Sequence, residues 1–126
     1  MRAADPRILV IDDSMMVRTL VGRVLAEAGF SVVEAKDGLE GIQKLGDAKD
    51  IRLIVCDVNM PRMNGLDFLE RLATMASAPS VVMLTTEGQY DLIRRAKALG
   101  AKGWIIKPIK PDLLIATVKK LAVQAA

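Results

Sequence analysis

Five short aliphatic or β-branched runs punctuate the chain at nearly even spacing, at residues 8–11, 32–33 with their neighbours, 53–56, 81–84 and 104–106. Between them, apolar residues recur every third or fourth position, the period of one helix face. Val17, Leu20, Val21, Val24, Leu25 and Ala28 form the first such stripe, which Ser14 can cap and Gly29 can end. Leu39, Ile42 and Leu45 mark a second helix, and Leu66, Leu69 and Leu72 a third. Leu92, Ile93, Ala96 and Leu99 mark a fourth that stops before Gly100, and Leu114, Val118 and Leu121 a fifth, with Pro111 near its first turn. This alternation predicts βαβ units around a parallel sheet. Four of the runs read as buried strands; the second, interrupted by Ser31 and Glu34, reads as an edge. Five units cannot close an eight-unit barrel, so the expected class is α/β, an open doubly wound five-stranded parallel sheet with helices on both faces.

Composition narrows the function classes. At 126 residues the expectation is a single domain spanning 1–126. Hydrophobic residues make up 52% of the chain, yet no apolar run exceeds four, which excludes an apolar membrane-spanning helix and a secretory signal core. There is no histidine, and Cys56 is the only cysteine. Histidine-based triads, Cys/His zinc sites, disulfides and a phosphohistidine donor are thereby eliminated, and a cytoplasmic location is expected. The net charge of +3 is too slight, and aromatics are too scarce, to argue for nucleic-acid binding. Its distribution is more informative: residues 1–87 carry a net −3 and residues 88–126 a net +6.

In open parallel sheets, ligands collect outside the carboxyl ends of the strands, where helix N-termini and adaptable loops converge. Asp12 and Asp13 follow the first run, Asp57 the third, Thr85 and Thr86 the fourth, and Lys107 the fifth. If strands one and three are neighbours, three carboxylates crowd together. Two like charges about 4 Å apart cost on the order of 4 kcal/mol at an effective dielectric of about 20, so the cluster requires compensation. Lys107 supplies one positive charge, and the remainder suits a divalent cation. Oxygen-only ligands select Mg²⁺, or alternatively Mn²⁺, over zinc. Such a site is fitted to phosphoryl transfer. Any one of these acids alone reads more simply as a helix cap; a cap, however, does not require a threonine and a lysine at the other two central strand ends.

These residues carry a resemblance. Asp12-Asp13, Asp57 with Asn59-Met60-Pro61-Arg62-Met63-Asn64-Gly65, Thr85 and Lys107-Pro108 stand in the order and strand-end context of a two-component response regulator receiver domain. The likeness runs from Arg7 to Leu121 and is greatest to single-domain chemotaxis regulators of the CheY type. It implies a flavodoxin-like sheet of order 2-1-3-4-5. It implies that Asp57 is the phosphoacceptor, taking its phosphoryl group from the phosphohistidine of a partner kinase or from acetyl phosphate. Asp12, Asp13, Asp57 and the backbone carbonyl of Asn59 would hold Mg²⁺, while Lys107 and Thr85 would hold phosphoryl oxygens. Asn59 and Glu87 match positions that tune dephosphorylation, or are simply solvated loop residues. Thr85 and Trp104 match a switch pair; an indole where the family more often has Tyr or Phe is equally readable as a static contact. A cis peptide is implied at Lys107-Pro108.

The same resemblance implies a monomeric phosphoacceptor with slow self-dephosphorylation rather than an enzyme, with output in trans because little follows the fifth helix. The basic residues Arg94, Arg95, Lys97, Lys102, Lys110, Lys119 and Lys120 lie where such proteins expose an output face, so the expected target is a protein, the flagellar motor switch first, and neither nucleic acid nor membrane. A solvated face explains them as well. Three other functions remain open: a phosphate sink or relay intermediate, the receiver part of a truncated transcription factor, and a small Mg²⁺-dependent aspartyl phosphatase. The last is disfavoured by Asn59, where a second acid would be needed, and by the lack of length for a substrate cap.

Overall fold

A computed structural model describes residues 7–48, 50–75, 78–86 and 88–124. Five strands and five helices alternate along it: β1 (Arg7–Ile11), α1 (Met15–Glu27), β2 (Ser31–Ala35), α2 (Gly38–Asp47), β3 (Ile51–Asp57), α3 (Gly65–Leu72), β4 (Ser80–Thr85), α4 (Tyr90–Ala98), β5 (Gly103–Ile106) and α5 (Pro111–Gln124). The strands form one parallel sheet in the order β2-β1-β3-β4-β5, as expected.

Successive strand residues point to opposite faces, so each central strand feeds two cores. Leu9, Ile11, Ile54, Cys56, Val81 and Met83 pack on one side against Leu45, Phe68, Leu69 and Ala96 of α2, α3 and α4. Ile8, Val10, Leu53, Val55, Val82 and Leu84 pack on the other against Val21, Val24, Leu25, Leu114 and Val118 of α1 and α5.

The helix boundaries have local causes. Ser14 Oγ accepts the amide of Val17 at 3.3 Å and caps α1, and Gly29, at φ +98°, ends it. Asp37 caps α2 and Asn64 caps α3, each accepting an amide three residues on at 2.9 Å. Pro111 opens α5.

Two expectations are corrected. The fifth run is not a buried strand: β5 is the second edge of the sheet, and Trp104 and Ile106 are each 40% exposed while Ile105 alone is buried. With a neighbour on one side only and a helix over one face, alternate side chains of β5 meet solvent. Leu20 and Leu39, whose period marked the first and second helices above, turn outward from the apolar faces of α1 and α2. In α2 the inner face is made by Gly38, Gly41 and Leu45. A Cβ at Gly41 would stand 2.5 Å from Ile11 Cδ1 and 3.2 Å from Phe68, so any larger residue there would have to push the buried Ile11 side chain aside for α2 to lie this close to the sheet.

Register is what builds the site. Ile11 lies level with Cys56, Asp57 with Leu84, and Thr85 with Ile106. The residue after Ile11 is therefore level with Asp57, and the residue after Ile106 follows Thr85, so Asp12, Asp57, Thr85 and Lys107 arrive at one rim.

Candidate functional site

Three carboxylates meet at this rim: Asp12, Asp13 and Asp57 each offer an oxygen, all within 4.8 Å of one another. Asp12 is fully buried and Asp57 nearly so, while Asp13 is exposed. Lys107 crosses from the β5 end to join them, its Nζ lying 3.0 Å from Asp12 Oδ2 and 3.5 Å from Asp57 Oδ2. Asp12 Oδ1 accepts the amide of Ser14 at 2.9 Å, and its backbone carbonyl accepts Arg18 Nη1 at 2.7 Å. Arg18 also pairs with Glu34 of β2, so the β1–α1 turn is braced from two elements. The cap reading of these acids is not what the structure shows, because Ser14 and Asn64 make the side-chain caps of α1 and α3.

The electrostatics follow from crowding. Burial, then the charge of Asp12, pushes the Asp57 carboxyl up to about 6; Lys107 and the backbone N–H of Asn59 oppose the rise. Lys107 is buried enough to be pulled down, but its hydrogen bond to Asp12 and the charges of Asp57 and Asp12 leave it above the ordinary lysine value. One cation thus serves carboxylates that still carry excess negative charge. Hard oxygen donors with no nitrogen or sulfur at this spacing fit Mg²⁺. Beside them, burial and the same two carboxylates push the Cys56 thiol well up, so it remains a neutral core group, as expected for a thiol that donates to the Asp57 carbonyl at 3.3 Å.

Thr85 ends β4, 1% exposed, and its hydroxyl has no hydrogen-bond partner among the described residues. Buried hydroxyls are almost always paired, which sets Thr85 apart from the other buried polar side chains of the described residues. The Lys107-Pro108 peptide is cis. Trp104 faces outward from β5, with Lys97 Nζ 4.9 Å from its ring centroid. Two shallow grooves flank the indole: one of about 270 Å³ is lined by Lys102, Thr117 and Lys120, the other of about 400 Å³ by Lys107, Lys110 and Leu113. Part of the basic excess therefore surrounds Trp104. Asn59 is exposed on the loop that follows Asp57, and Glu87 lies outside the described residues.

Behind Asp57 the β3–α3 loop turns back, and Gly65 donates its amide to Val58 at 2.8 Å. Sequence reasoning missed a neighbouring pair. Asp37, buried at the N-terminus of α2, accepts Arg62 Nε at 2.9 Å as well as the amide of Glu40, and Arg62 adopts φ +64°, a conformation costing a non-glycine residue about 1 kcal/mol. Burial raises the Asp37 carboxyl, but these two donors outweigh it and hold the group below its usual value. An acid three residues before Glu40 is a capping signature that could have found Asp37. Nothing local announces its partner 25 residues away.

The chain belongs to the response regulator receiver domain family, which it matches over residues 8–119. Receiver domains are phosphoacceptors that bind Mg²⁺ in an acidic pocket and work with histidine kinases in two-component signalling, and the cluster of Asp12, Asp13 and Asp57 is a group of carboxylates that could hold a metal ion. Within the family the likeness is to chemotaxis regulators. The chain is 35% identical to the chemotaxis protein CheY of Treponema pallidum over 105 residues, covering 82% of this chain and 73% of that one. It is 32% identical to CheY of Listeria monocytogenes over 117 residues, covering 92% and 98%. The crystal structure of Vibrio cholerae CheY4 superposes with a TM-score of 0.85 at 36% identity, covering 94% and 99%. No helix of the described residues is long and apolar enough to cross a membrane.

Proposed function

We propose that the protein is a phosphorylation-activated regulator of the CheY type in which Asp57 is the phosphoacceptor. An Asp57 oxygen bonds to phosphorus as the P–N bond of a kinase phosphohistidine breaks, and the departing imidazole nitrogen keeps the electron pair. With a loose transition state, catalysis is alignment and neutralisation of the equatorial oxygens. Asp12, Asp13, Asp57 and the Asn59 carbonyl would hold Mg²⁺, whose charge offsets that of the phosphoryl oxygens. Lys107, already between Asp12 and Asp57, takes one of those oxygens. Thr85 supplies the hydrogen bond its hydroxyl lacks. The acyl phosphate is later cleaved by water, returning the Asp57 carboxylate and inorganic phosphate, with Asn59 and Glu87 setting the rate.

Phosphorylation adds charge and acceptor oxygens, drawing Thr85 inward, and Trp104 is the reporter on the output side. The output is recognition of an acidic or amphipathic protein segment, the flagellar motor switch first, by the basic face around Trp104. The protein acts in the cytoplasm as a one-domain monomer, and its hydrolysis of the phosphoform is self-clearing rather than enzymatic turnover of a substrate.

The observation that carries this reading is the placement of Lys107 within 3.5 Å of both Asp12 and Asp57 at a rim shared with Asp13. Acetyl phosphate with Mg²⁺ should add one phosphoryl mass to the chain, and Asp57→Asn should abolish it; retention of that mass by the variant refutes the assignment.

A second reading, the receiver part of a transcription factor, is favoured by 34% identity over 118 residues to the transcriptional regulatory protein PdtaR of Mycobacterium tuberculosis, of which the chain spans 57%. Phosphorylation-dependent dimerisation would select it over motor-switch binding.

A further inference from the structure

The β3–α3 loop is held at two places. At its start Val58 donates its amide to Leu84 at 3.1 Å, and at its end Gly65 returns to Val58. Its far limb rests on the N-terminus of α2. There Gly38 donates its amide to the Met63 carbonyl at 3.2 Å, and a Cβ at Gly38 would lie between 2.6 and 2.9 Å from Met63 atoms, so the two segments are in direct contact. Arg62 completes the contact with two nitrogens donating to Asp37 Oδ2. The Asp37 side chain is 3% exposed and its other oxygen is fixed by Glu40, which makes it a rigid anchor, whereas the Arg62 side chain is half exposed.

We infer that the Arg62–Asp37 ion pair is a latch that positions the loop presenting the Asn59 carbonyl and so sets the Mg²⁺ affinity of the acidic site. The inference rests on the metal reading proposed above and deepens it. Neither residue belongs to the ligand set; both are positioning residues. Arg62 sits in a backbone conformation that L side chains disfavour, so the turn needs an external hold, and the buried carboxylate is the group that provides it. A carbonyl fixed between Val58 and Arg62 requires no ordering when the ion arrives, whereas an unlatched loop must be ordered by the ion itself. The loss therefore falls on affinity and spares the rate at saturating Mg²⁺.

The test uses the full chain with Arg62→Ala, Arg62→Gly and Arg62→Lys. Mg²⁺ binding is followed by amide NMR shifts without phosphodonor, loop contact by hydrogen exchange of the Gly38 amide in Mg²⁺-free buffer, and phosphorylation by acetyl phosphate across a Mg²⁺ series. Arg62→Ala should raise the Mg²⁺ Kd about tenfold, in line with other supporting groups around metal ligands, speed Gly38 exchange about tenfold, and leave the saturating rate within about twofold. Arg62→Gly should lose affinity too, but less than Arg62→Ala, because glycine relieves the positive-φ strain while still lacking the pair, and Arg62→Lys should recover part of the affinity. A Kd in Arg62→Ala within about twofold of the parent overturns the latch while leaving the metal site standing. So does unchanged Gly38 exchange, or parental affinity in Arg62→Gly. Absence of saturable Mg²⁺ binding in the parent chain would sink the metal reading and the latch together.

Discussion

A Cβ on Gly65 would stand 2.5 Å from the carbonyl oxygen of Asp57 and 2.8 Å from Val58 Cα, with Met83 Cε at 2.7 Å. The first turn of α3 thus packs directly against the backbone that carries the candidate phosphoacceptor. Two of the three obstructing atoms are main chain, so Gly65→Ala must displace either α3 or Asp57. Overpacking of this kind costs about 1–3 kcal/mol. The expected outcome is that loss in urea unfolding together with slower phosphorylation by acetyl phosphate. Normal stability and normal rate would show that the contact relaxes without moving Asp57.

The lone hydroxyl of Thr85 gives a prediction of opposite sign. A buried polar group without a partner costs about 1–3 kcal/mol, and valine has nearly the same shape without that burden. Thr85→Val should therefore raise the stability of the unphosphorylated protein by about 1 kcal/mol in thermal melts. The same variant should accept a phosphoryl group and fail to show the fluorescence change of Trp104 on phosphorylation. A destabilised variant would mean that the hydroxyl is satisfied in solution.

The acidic cluster should couple stability to the ion. At pH 7 and without Mg²⁺, Asp57→Asn should be more stable than the parent by on the order of 2 kcal/mol, because it removes a carboxylate charge that burial and then the charge of Asp12 make unfavourable. Adding Mg²⁺ should stabilise the parent, by about 2.7 kcal/mol at one hundred times the Kd, and stabilise the variant much less. Melting curves in chelator and in Mg²⁺ decide the point, and equal Mg²⁺ responses would remove Asp57 from the ligand set.

Much of this was readable in advance, for identifiable reasons. The runs at 8–11, 53–56 and 81–84 are uniformly apolar because those strands are covered on both faces, and their ends point to Asp12, Asp57 and Thr85 without any knowledge of tertiary contacts. What escaped depends on distance or on surroundings. Leu39 shares the period of a buried stripe but faces water, since α2 uses Gly38 and Gly41 to approach the sheet. Trp104 and Ile106 read as interior from their hydropathy, yet β5 has no strand beyond it. The Arg62–Asp37 pair joins two loops whose proximity exists only after β2, β1 and β3 are side by side.

Two carboxylates at one rim should titrate with opposite effects on stability. Asp37 is held below its usual value of 3.8 in the folded protein, so the folded state binds its proton less readily than the unfolded chain does. Its contribution is complete above 3.8 and disappears as pH falls through the depressed folded value. Asp57, raised from 3.8 to about 6, behaves inversely: its crowding penalty is complete above 6 and fades as pH falls from 6 toward 3.8, where the folded state takes up the proton first. Urea unfolding in Mg²⁺-free buffer from pH 7 down to about pH 3 should therefore show the parent losing ground to Asp37→Asn only at the acid end of the series. The stabilising effect of Asp57→Asn should shrink earlier, between 6 and 3.8. A constant advantage of Asp57→Asn across that interval would mean that its carboxyl titrates normally and that the crowding inferred from the geometry is relieved in solution.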